Sequence, residues 1–296
     1  MTTPFADRLA ALVEERRSQV CLGLDPDPSA LAAGPDDAGG SAAQLAADAV
    51  VGQCEALIVA AGPACVAVKP QLACFERLGA PGWEALERVI ATAREAGLLV
   101  IADGKRGDVP VSAAAYAQAL FGSTPTPWGE VDGLGADAAT VNPLLGIDAL
   151  EPLLEAAESR GAGVFALVRT SNPGAADVLD WPSAERPLSE RLAELVAAGA
   201  ARLAGESGLS GFGAVVGATE PGHLGRLRSL MPDSVFLLPG VGAQGGHPED
   251  LGAAFGSHPA SAIVTASRSI ARADDPAAAA SLLRDEFFAV SQAVAR

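Results

Sequence analysis

An apolar run in the middle of the chain ends in four charged residues with glycines among them. Residues 98–102 are all apolar, and Asp103, Lys105, Arg106 and Asp108 follow them. A strand buried on both faces has this pattern. Because side chains two apart in a strand share a side, Asp103 and Lys105 should project together. The carboxyl end of such a strand is where α/β enzymes place groups that stabilise charge in a substrate, although a solvated turn has the same composition.

Two other charged residues close apolar runs. Lys69 follows the apolar residues 65–68, and a lysine at the end of a buried strand is costly unless a carboxylate meets it. Asp103 is the partner that we expect. Asp25 ends a third run, residues 20–24, where it either begins a turn before a proline or lies at the same edge as the other charges.

A glycine-rich segment and an arginine follow two later apolar runs. Residues 239–246 have the sequence Pro-Gly-Val-Gly-Ala-Gln-Gly-Gly, and Arg268 comes shortly after the run 262–265. Glycines let backbone N–H groups approach an anion closely, and arginine binds phosphate through two parallel hydrogen bonds. Together they indicate a phosphate site at the carboxyl ends of the last two strands, where barrels of alternating strands and helices commonly bind phosphate.

These residues have to be positioned by strands and helices that alternate along the chain. Helices are predicted over residues 4–17 and from the capping pattern Ser41-x-x-Gln44 to about residue 61. Eight strands separated by helices favour a (β/α)8 TIM barrel of the α/β class, with residues 1–296 as a single domain. The strands are predicted at residues 20–24, 65–68, 98–103, 138–141, 164–168, 214–216, 235–238 and 262–265.

Two connections, residues 122–135 and 172–186, are longer than a barrel needs. Long connections in a compact domain are usually functional lids or disordered segments. The chain has no internal repeat and no linker rich enough in glycine or proline to divide it.

Composition limits the classes of protein to which the chain can belong. The net charge of −16 argues against a nucleic-acid partner, which would need a basic face. Nowhere do 18 apolar residues run uninterrupted, so we expect a soluble, cytoplasmic protein with no membrane partner. The four cysteines show no Cys-x-x-Cys spacing and the chain has three histidines, so we expect buried thiols and no metal site.

The charged segment also carries a resemblance to a known family. Asp103-x-Lys105-x-x-Asp108 resembles the catalytic motif of the orotidine 5'-monophosphate decarboxylase family. The fuller Asp-Gly-Lys-Arg-Gly-Asp sequence, together with the Val-Lys-Pro-Gln of residues 68–71, is similar to the longer bacterial branch of that family. The similarity extends over nearly the whole chain, from the end of the first predicted strand to the end of the last.

The resemblance implies a lyase that converts orotidine 5'-monophosphate to uridine 5'-monophosphate and carbon dioxide, the last step of de novo pyrimidine nucleotide biosynthesis, without a cofactor. Lys105 would protonate C6 of a carbanion, and Lys69, Asp103 and Asp108 would complete the charge network around it. Asp108 would reach into the neighbouring subunit of a homodimer. The substrate-binding residues implied by the match are Asp25, Ser112, Ser171, Pro239, Gln244, Gly245, Gly246 and Arg268.

Several of these positions have an implied contact. Asp25 would accept a hydrogen bond from a ribose hydroxyl, Ser171 would contact the pyrimidine, and Gln244 would reach both base and phosphate. Ser112 stands where the family usually has a threonine that touches the substrate.

Two other functions remain open at this point. Metal-dependent sugar-phosphate decarboxylases and synthases share the barrel and carry a similar Asp-x-Lys-x-x-Asp motif, but they usually have an acidic residue where Lys69 stands. A non-catalytic barrel that binds a phosphate ligand is the third alternative. The intact set of Asp103, Lys105 and Asp108 argues against it.

Overall fold

The computed structural model confirms the predicted barrel. It describes residues 2–31, 40–183, 186–219, 221–241, 245–256 and 258–294. Within these ranges, eight parallel strands close into a ring in which each strand pairs with the next along the chain and the last pairs with the first. We number them β1 Val20–Leu24, β2 Ala67–Pro70, β3 Leu99–Arg106, β4 Ala138–Val141, β5 Gly163–Arg169, β6 Ser210–Val216, β7 Ser234–Leu238 and β8 Ala262–Ala266.

Helices occupy the connections between these strands, as a (β/α)8 barrel requires. The predicted start of the second helix is confirmed, because the Ser41 hydroxyl accepts a hydrogen bond from the Gln44 N–H at 3.2 Å. The helices of the described ranges are α1 Phe5–Arg16, α2 Ala42–Ala61, α3 Leu72–Glu76, α4 Ala80–Glu95, α5 Pro110–Phe121, α6 Ile147–Arg160, α7 Ala175–Val178, α8 Leu188–Gly199, α9 Pro221–Leu230, α10 Arg268–Ala271 and α11 Pro276–Val294.

Three strands differ from the sequence prediction by more than one residue at an end. β2 begins at Ala67, later than predicted, and includes Lys69. β3 continues beyond its predicted end to Arg106, and its pairing with β4 is irregular between Ala102 and Arg106. β6 begins at Ser210, earlier than predicted. The charged residues of β2 and β3 therefore lie within strands, whose register with their neighbours fixes where the side chains point.

The two long connections contain local structure. Residues 122–135 include an antiparallel hairpin of Ser123–Thr126 with Gly129–Asp132, and its turn carries the exposed Trp128. The described part of 172–186 forms α7 and a second, shorter antiparallel pair. Hairpins form from hydrogen bonds between neighbouring residues, so a long connection rich in glycine and proline need not be irregular.

Side chains of the strands build two hydrophobic layers. One set, which includes Leu22 and Val68, packs in the layer between the strands and the helices. The other set, which includes Ile101 and Phe165, fills the barrel interior. Because both faces are buried, the strands are apolar along most of their length. The four cysteines are free thiols, and three of them are buried as expected while Cys74 is half-buried.

The first helix covers the amino-terminal end of the barrel. Phe5 of α1 packs edge-on against Phe165, with ring centroids 5.8 Å apart. Asp7 accepts hydrogen bonds from two backbone N–H groups that precede β6. Arg16 donates to backbone carbonyls that precede β2 and β3. With this end covered, the open end of the barrel is the one where the carboxyl ends of the strands meet.

Among the described residues, one helical segment, Ala42–Ala64, is long and apolar enough by length and composition to cross a membrane, with a mean hydropathy of 1.5. Packing within the barrel accounts for this composition. Val50, Val51, Cys54 and Ile58 are buried in the layer between the strands and the helices. The helix lies alongside α4 and α11.

Candidate active site

The carboxyl ends of the strands surround a cavity of about 590 Å³. Every barrel strand, or the residue just after it, contributes to the lining. The floor includes side chains of the barrel interior such as Val215, Leu237 and Thr265. The structure brings together at this cavity seven of the residues that the sequence predicts for the site, namely Asp25, Lys69, Asp103, Lys105, Ser171, Pro239 and Arg268.

The Asp103 carboxylate is the centre of the polar network. Its Oδ2 pairs with the Lys69 ammonium group and accepts a hydrogen bond from Gln71 Nε2 at 3.2 Å. Its Oδ1 accepts from Lys105 Nζ at 2.6 Å and from the Thr140 hydroxyl at 2.8 Å. Lys69 and Asp103 are only 6% and 5% exposed. The predicted pairing of these two residues and the predicted proximity of Asp103 to Lys105 are therefore confirmed.

Burial and charge act in opposite directions on the pKa values of this pair. Burial alone would raise the pKa of Asp103, but the charges of Lys69 and Lys105 outweigh it and hold that pKa far below its usual range. Burial alone would lower the pKa of Lys69, yet the charges of Asp103 and Asp25 raise it. Both groups are consequently ionised at neutral pH, although both side chains are almost inaccessible to water.

Lys105 has an unusual backbone conformation at the end of β3. Its φ angle is 48°, in the left-handed region that residues with a side chain seldom adopt. The irregular pairing of β3 with β4 lies at this point, and the Lys105 N–H donates to the Thr140 hydroxyl at 3.0 Å. The Lys105 side chain is 42% exposed and reaches along the cavity wall.

Arg106 points away from the cavity although it follows Lys105 directly. Its guanidinium group pairs with Glu76 and lies 5.4 Å from the centre of the Tyr116 ring. Adjacent residues of a strand project to opposite sides, so Lys105 and Arg106 lie in different environments. Asp103 and Lys105 face the cavity, and Arg106 anchors the outer side of β3.

The segment after β5 forms another part of the cavity wall, through Thr170, Ser171 and Asn172. Arg169, which is 5% exposed, holds this segment by two hydrogen bonds to the Asp180 carboxylate, at 2.8 and 3.0 Å. Gly217 allows the backbone of Ser171 to come close, since a Cβ at this position would lie 2.8 Å from the Ser171 Cα.

The loops after β7 and β8 form the side predicted to bind phosphate. Pro239, Gly240 and Val241 line the cavity, and the exposed Arg268 begins α10 opposite them. Of the other predicted residues, Gln244 lies outside the described residues. Gly245 and Gly246 are described but do not line the cavity. The Gly246 N–H donates to the Gly240 carbonyl at 3.1 Å, which folds the loop back on itself.

Asp108 and Ser112 are predicted site residues that do not line this cavity. Asp108 lies on the turn after β3, where its Oδ1 accepts a hydrogen bond from the Val109 N–H at 2.7 Å. Ser112 lies in the first turn of α5. Two valines beside them are exposed, Val109 by 54% and Val111 by 85%. Within the described chain, these two residues do not complete the network around Lys105.

Gln71 and Thr140 take part in the network but were not predicted as site residues. Gln71 is two residues beyond Lys69, the spacing that places side chains on one side of an extended chain. Thr140 is the one polar residue of β4. Both signals were present in the sequence, because a single polar residue in a fully buried strand needs a hydrogen-bonding partner.

The fold and the site define a TIM-barrel enzyme with an ionised lysine–aspartate network and an arginine at the mouth of the barrel. Residues 18–283 match the family described as Orotidine 5'-phosphate decarboxylase / HUMPS family. The chain belongs to this family. The family description names both the decarboxylase and HUMPS, and the two curated relatives given next carry the name of the decarboxylase.

These relatives match nearly the whole chain. Orotidine 5'-phosphate decarboxylase of Deinococcus radiodurans is 41% identical, and the match covers 97% of both chains. The enzyme of the same name from Rhodopirellula baltica is 41% identical over 90% of this chain and 87% of its own. Among solved structures, OMP decarboxylase of Leishmania donovani has a TM-score of 0.77 and 34% identity, over 98% of this chain and 100% of that one. The similarity to the longer bacterial branch stays a prediction.

Proposed function

We propose that the protein decarboxylates orotidine 5'-monophosphate to uridine 5'-monophosphate and carbon dioxide, the last step of de novo pyrimidine nucleotide biosynthesis. The family of the chain and the names of its relatives support this activity. The observation that carries the proposal is the buried Asp103 carboxylate, held between the Lys69 and Lys105 ammonium groups at the cavity wall.

The chemistry requires charge placement because the substrate offers little stabilisation of its own. Loss of the C6 carboxylate leaves an electron pair in the plane of the pyrimidine ring, where no carbonyl group can delocalise it. In the proposed mechanism Asp103 lies beside the departing carboxylate, and their repulsion raises the energy of the bound substrate. The Lys105 ammonium group stabilises the developing carbanion and then transfers one proton to C6.

Lys69 has a different task from Lys105 in this proposal. Its charge lowers the pKa of Asp103 and thereby keeps the carboxylate ionised in a buried position. It also occupies Oδ2, while Lys105 occupies Oδ1. The two lysines would face any divalent cation placed beside Asp103 with like charge, which disfavours the metal-dependent alternative on electrostatic grounds.

The remaining predicted residues are proposed to bind the parts of the substrate that do not react. Asp25 would accept a hydrogen bond from the ribose, and Ser171 would contact the pyrimidine. Binding energy from these remote contacts can raise the rate of the chemical step by holding the reacting carbon against Lys105. The phosphate would lie between the loops after β7 and β8, in contact with Pro239, Gln244, Gly245, Gly246 and Arg268.

We place the enzyme in the cytoplasm as a homodimer in which Asp108 and Ser112 act in the neighbouring subunit's site. Two observations and one argument from charge support this arrangement. Neither residue lines the cavity of its own chain. Exposed apolar side chains, Val109 and Val111, lie beside them. Asp108 would add a second carboxylate to the network of Lys69, Lys105 and Asp103.

The test is turnover of orotidine 5'-monophosphate in the presence of excess chelator, followed by the loss of orotate absorbance and the appearance of uridine 5'-monophosphate. We expect undiminished turnover with chelator. The Lys105→Ala variant, purified in the same way, is the matched control against a contaminating enzyme. Absence of turnover by the wild-type protein contradicts the proposal, and turnover abolished by the chelator favours the metal-dependent alternative.

A further inference from the structure

Thr140 of β4 contacts both Asp103 and Lys105 of the neighbouring strand β3. It is 1% exposed, and the other residues of β4 are alanine and valine. Its hydroxyl donates to Asp103 Oδ1 at 2.8 Å and accepts from the Lys105 N–H at 3.0 Å. The buried Thr140 hydroxyl thus donates one hydrogen bond to the carboxylate and accepts another from the backbone of Lys105.

The contact with the Lys105 backbone replaces a missing strand hydrogen bond. β3 pairs regularly with β4 up to Ala102, and the pairing resumes at Arg106. Between these points the Lys105 N–H has no place in the pairing with β4, and a partly buried N–H without a partner is unfavourable. Lys105 also has a φ angle of 48°, a conformation that the surrounding structure must hold in place. The Thr140 hydroxyl supplies the acceptor at this residue.

The contact with Asp103 acts on the other end of the same lysine. Lys105 Nζ donates a hydrogen bond to Asp103 Oδ1 at 2.6 Å, and the Thr140 hydroxyl donates to that same oxygen. When Lys105 gives its proton to C6 it becomes a neutral amine and binds the carboxylate less strongly. Thr140 remains as a donor to Oδ1 at that moment, so the carboxylate keeps its orientation through the reaction.

We propose that Thr140 is a positioning residue, which fixes the backbone and the ammonium group of Lys105 relative to Asp103 through its one hydroxyl. This inference rests on the proposed decarboxylase function. Thr140 acts through its two neighbours and not on the substrate, so its loss should lower the rate of the chemical step and leave substrate affinity nearly unchanged.

The test compares Thr140→Val, which keeps the shape of the side chain and removes the hydroxyl, with Thr140→Ser, which keeps the hydroxyl. We expect Thr140→Val to lower kcat by about 10- to 100-fold, because small displacements of a reacting group cost this much. Its KM should stay within about threefold of the wild-type value, since the proposed ribose and phosphate contacts are intact. Thr140→Ser should retain kcat within about fivefold.

Wild-type turnover is measured first, and its absence overturns the proposed function and this inference together. With an active wild-type enzyme, a Thr140→Val kcat within about twofold of wild type, or an equal loss in Thr140→Ser, overturns the inference alone. Should Thr140→Val fail to fold, Thr140→Cys replaces it, because a thiol is a weaker hydrogen-bonding group of similar size. The same loss in kcat at constant KM is then expected, and an unchanged kcat overturns the inference.

Discussion

Lys105 and Arg106 are adjacent cations in β3, yet they serve opposite sides of the barrel wall. Lys105 faces the cavity and binds Asp103, whereas Arg106 pairs with Glu76 outside it. The alternation of a strand thus separates a group proposed to react from a group that only anchors the strand. A variant at Arg106 can therefore serve as the control for a variant at Lys105.

We expect Lys105→Ala to lower kcat by about 10⁴-fold, because the variant lacks both the proton donor and the charge that stabilises the carbanion. Arg106→Gln removes the same net charge from the neighbouring position and should retain kcat within about threefold. Steady-state kinetics with orotidine 5'-monophosphate measures both. Equal losses in the two variants would mean that overall charge, and not the placement of Lys105, governs the rate.

The buried position of Asp103 predicts a particular pH dependence of stability. Its pKa in the folded protein lies below the ordinary value of 3.8. A carboxyl group of this kind contributes stability above its unfolded pKa, and the contribution is lost as the pH falls through the folded pKa. At pH 7 we expect Asp103→Asn to lower the free energy of unfolding by about 3–5 kcal/mol, since Lys69 is left buried without its partner.

Denaturant unfolding at several pH values checks this expectation. The difference in the free energy of unfolding between wild type and Asp103→Asn should narrow as the pH falls below about 4. In that range the Asp103 carboxyl group of the wild-type protein takes up a proton when the protein unfolds. Asp48→Asn removes a half-exposed ion pair with Arg88 and serves as the control, with a change of at most about 1 kcal/mol at pH 7. A constant difference between wild type and Asp103→Asn at all pH values would contradict the linkage.

Among the elements, the segment after β5 depends on one ion pair. The buried Arg169 binds Asp180 through two hydrogen bonds, and Ser171 and Asn172 lie in the loop that this pair closes. We expect Asp180→Asn to raise KM by about tenfold with a smaller change in kcat, because the segment no longer holds its place against the substrate. Asp177→Asn, an exposed change on the same segment, is the control. An unchanged KM for Asp180→Asn would show that the segment is held by other contacts.

The loops after β7 and β8 should account for much of the affinity for the phosphate group. In a chain with a net charge of −16, a dianion depends on the few cations near its site. We expect Arg268→Ala to lower kcat/KM. The loss should correspond to about 2–5 kcal/mol of transition-state stabilisation, as for the loss of one partner of a charge pair. Arg272→Ala, one helical turn further on, should have a much smaller effect. Equal kcat/KM values for Arg268→Ala and wild type would place the phosphate elsewhere.

The elements differ in how well the sequence predicted them, for physical reasons. All eight strands were found, because strands buried on two faces are runs of apolar residues. The sequence prediction ended β3 too early, because a run of charged residues is typical of a turn when the partners of those residues are unknown. The contact of Asp103 with Lys105 follows from local alternation. Its contacts with Gln71 and Thr140 join residues 32 and 37 positions apart and depend on the register between strands.

The proposed homodimer predicts complementation between inactive subunits. Lys105→Ala and Asp108→Ala subunits, each nearly inactive alone, are unfolded together and refolded. If Asp108 serves the partner's site, a mixed dimer has one site with both defects and one with neither. Random pairing gives about half mixed dimers with half of their sites intact, so about a quarter of wild-type activity should return.

The control for this experiment pairs Lys105→Ala with Asp103→Asn. Asp103 and Lys105 bind each other within one chain, so every site of that mixed dimer keeps one defect and no activity should return. A return of activity in this control would mean that the recovery does not come from exchange of whole subunits between dimers. If mixing Lys105→Ala with Asp108→Ala restores nothing, Asp108 serves the site of its own chain.

The closure of the barrel has a consequence for how the chain is made. β1 completes its hydrogen bonds with β2 on one side and with β8 on the other, where Val20 lies opposite Val264. The ribosome releases the first of these strands long before the last, so one edge of β1 stays unpaired during most of synthesis. An unpaired apolar edge is a site of aggregation. The nascent chain therefore has most need of chaperone protection in the interval before β8 emerges.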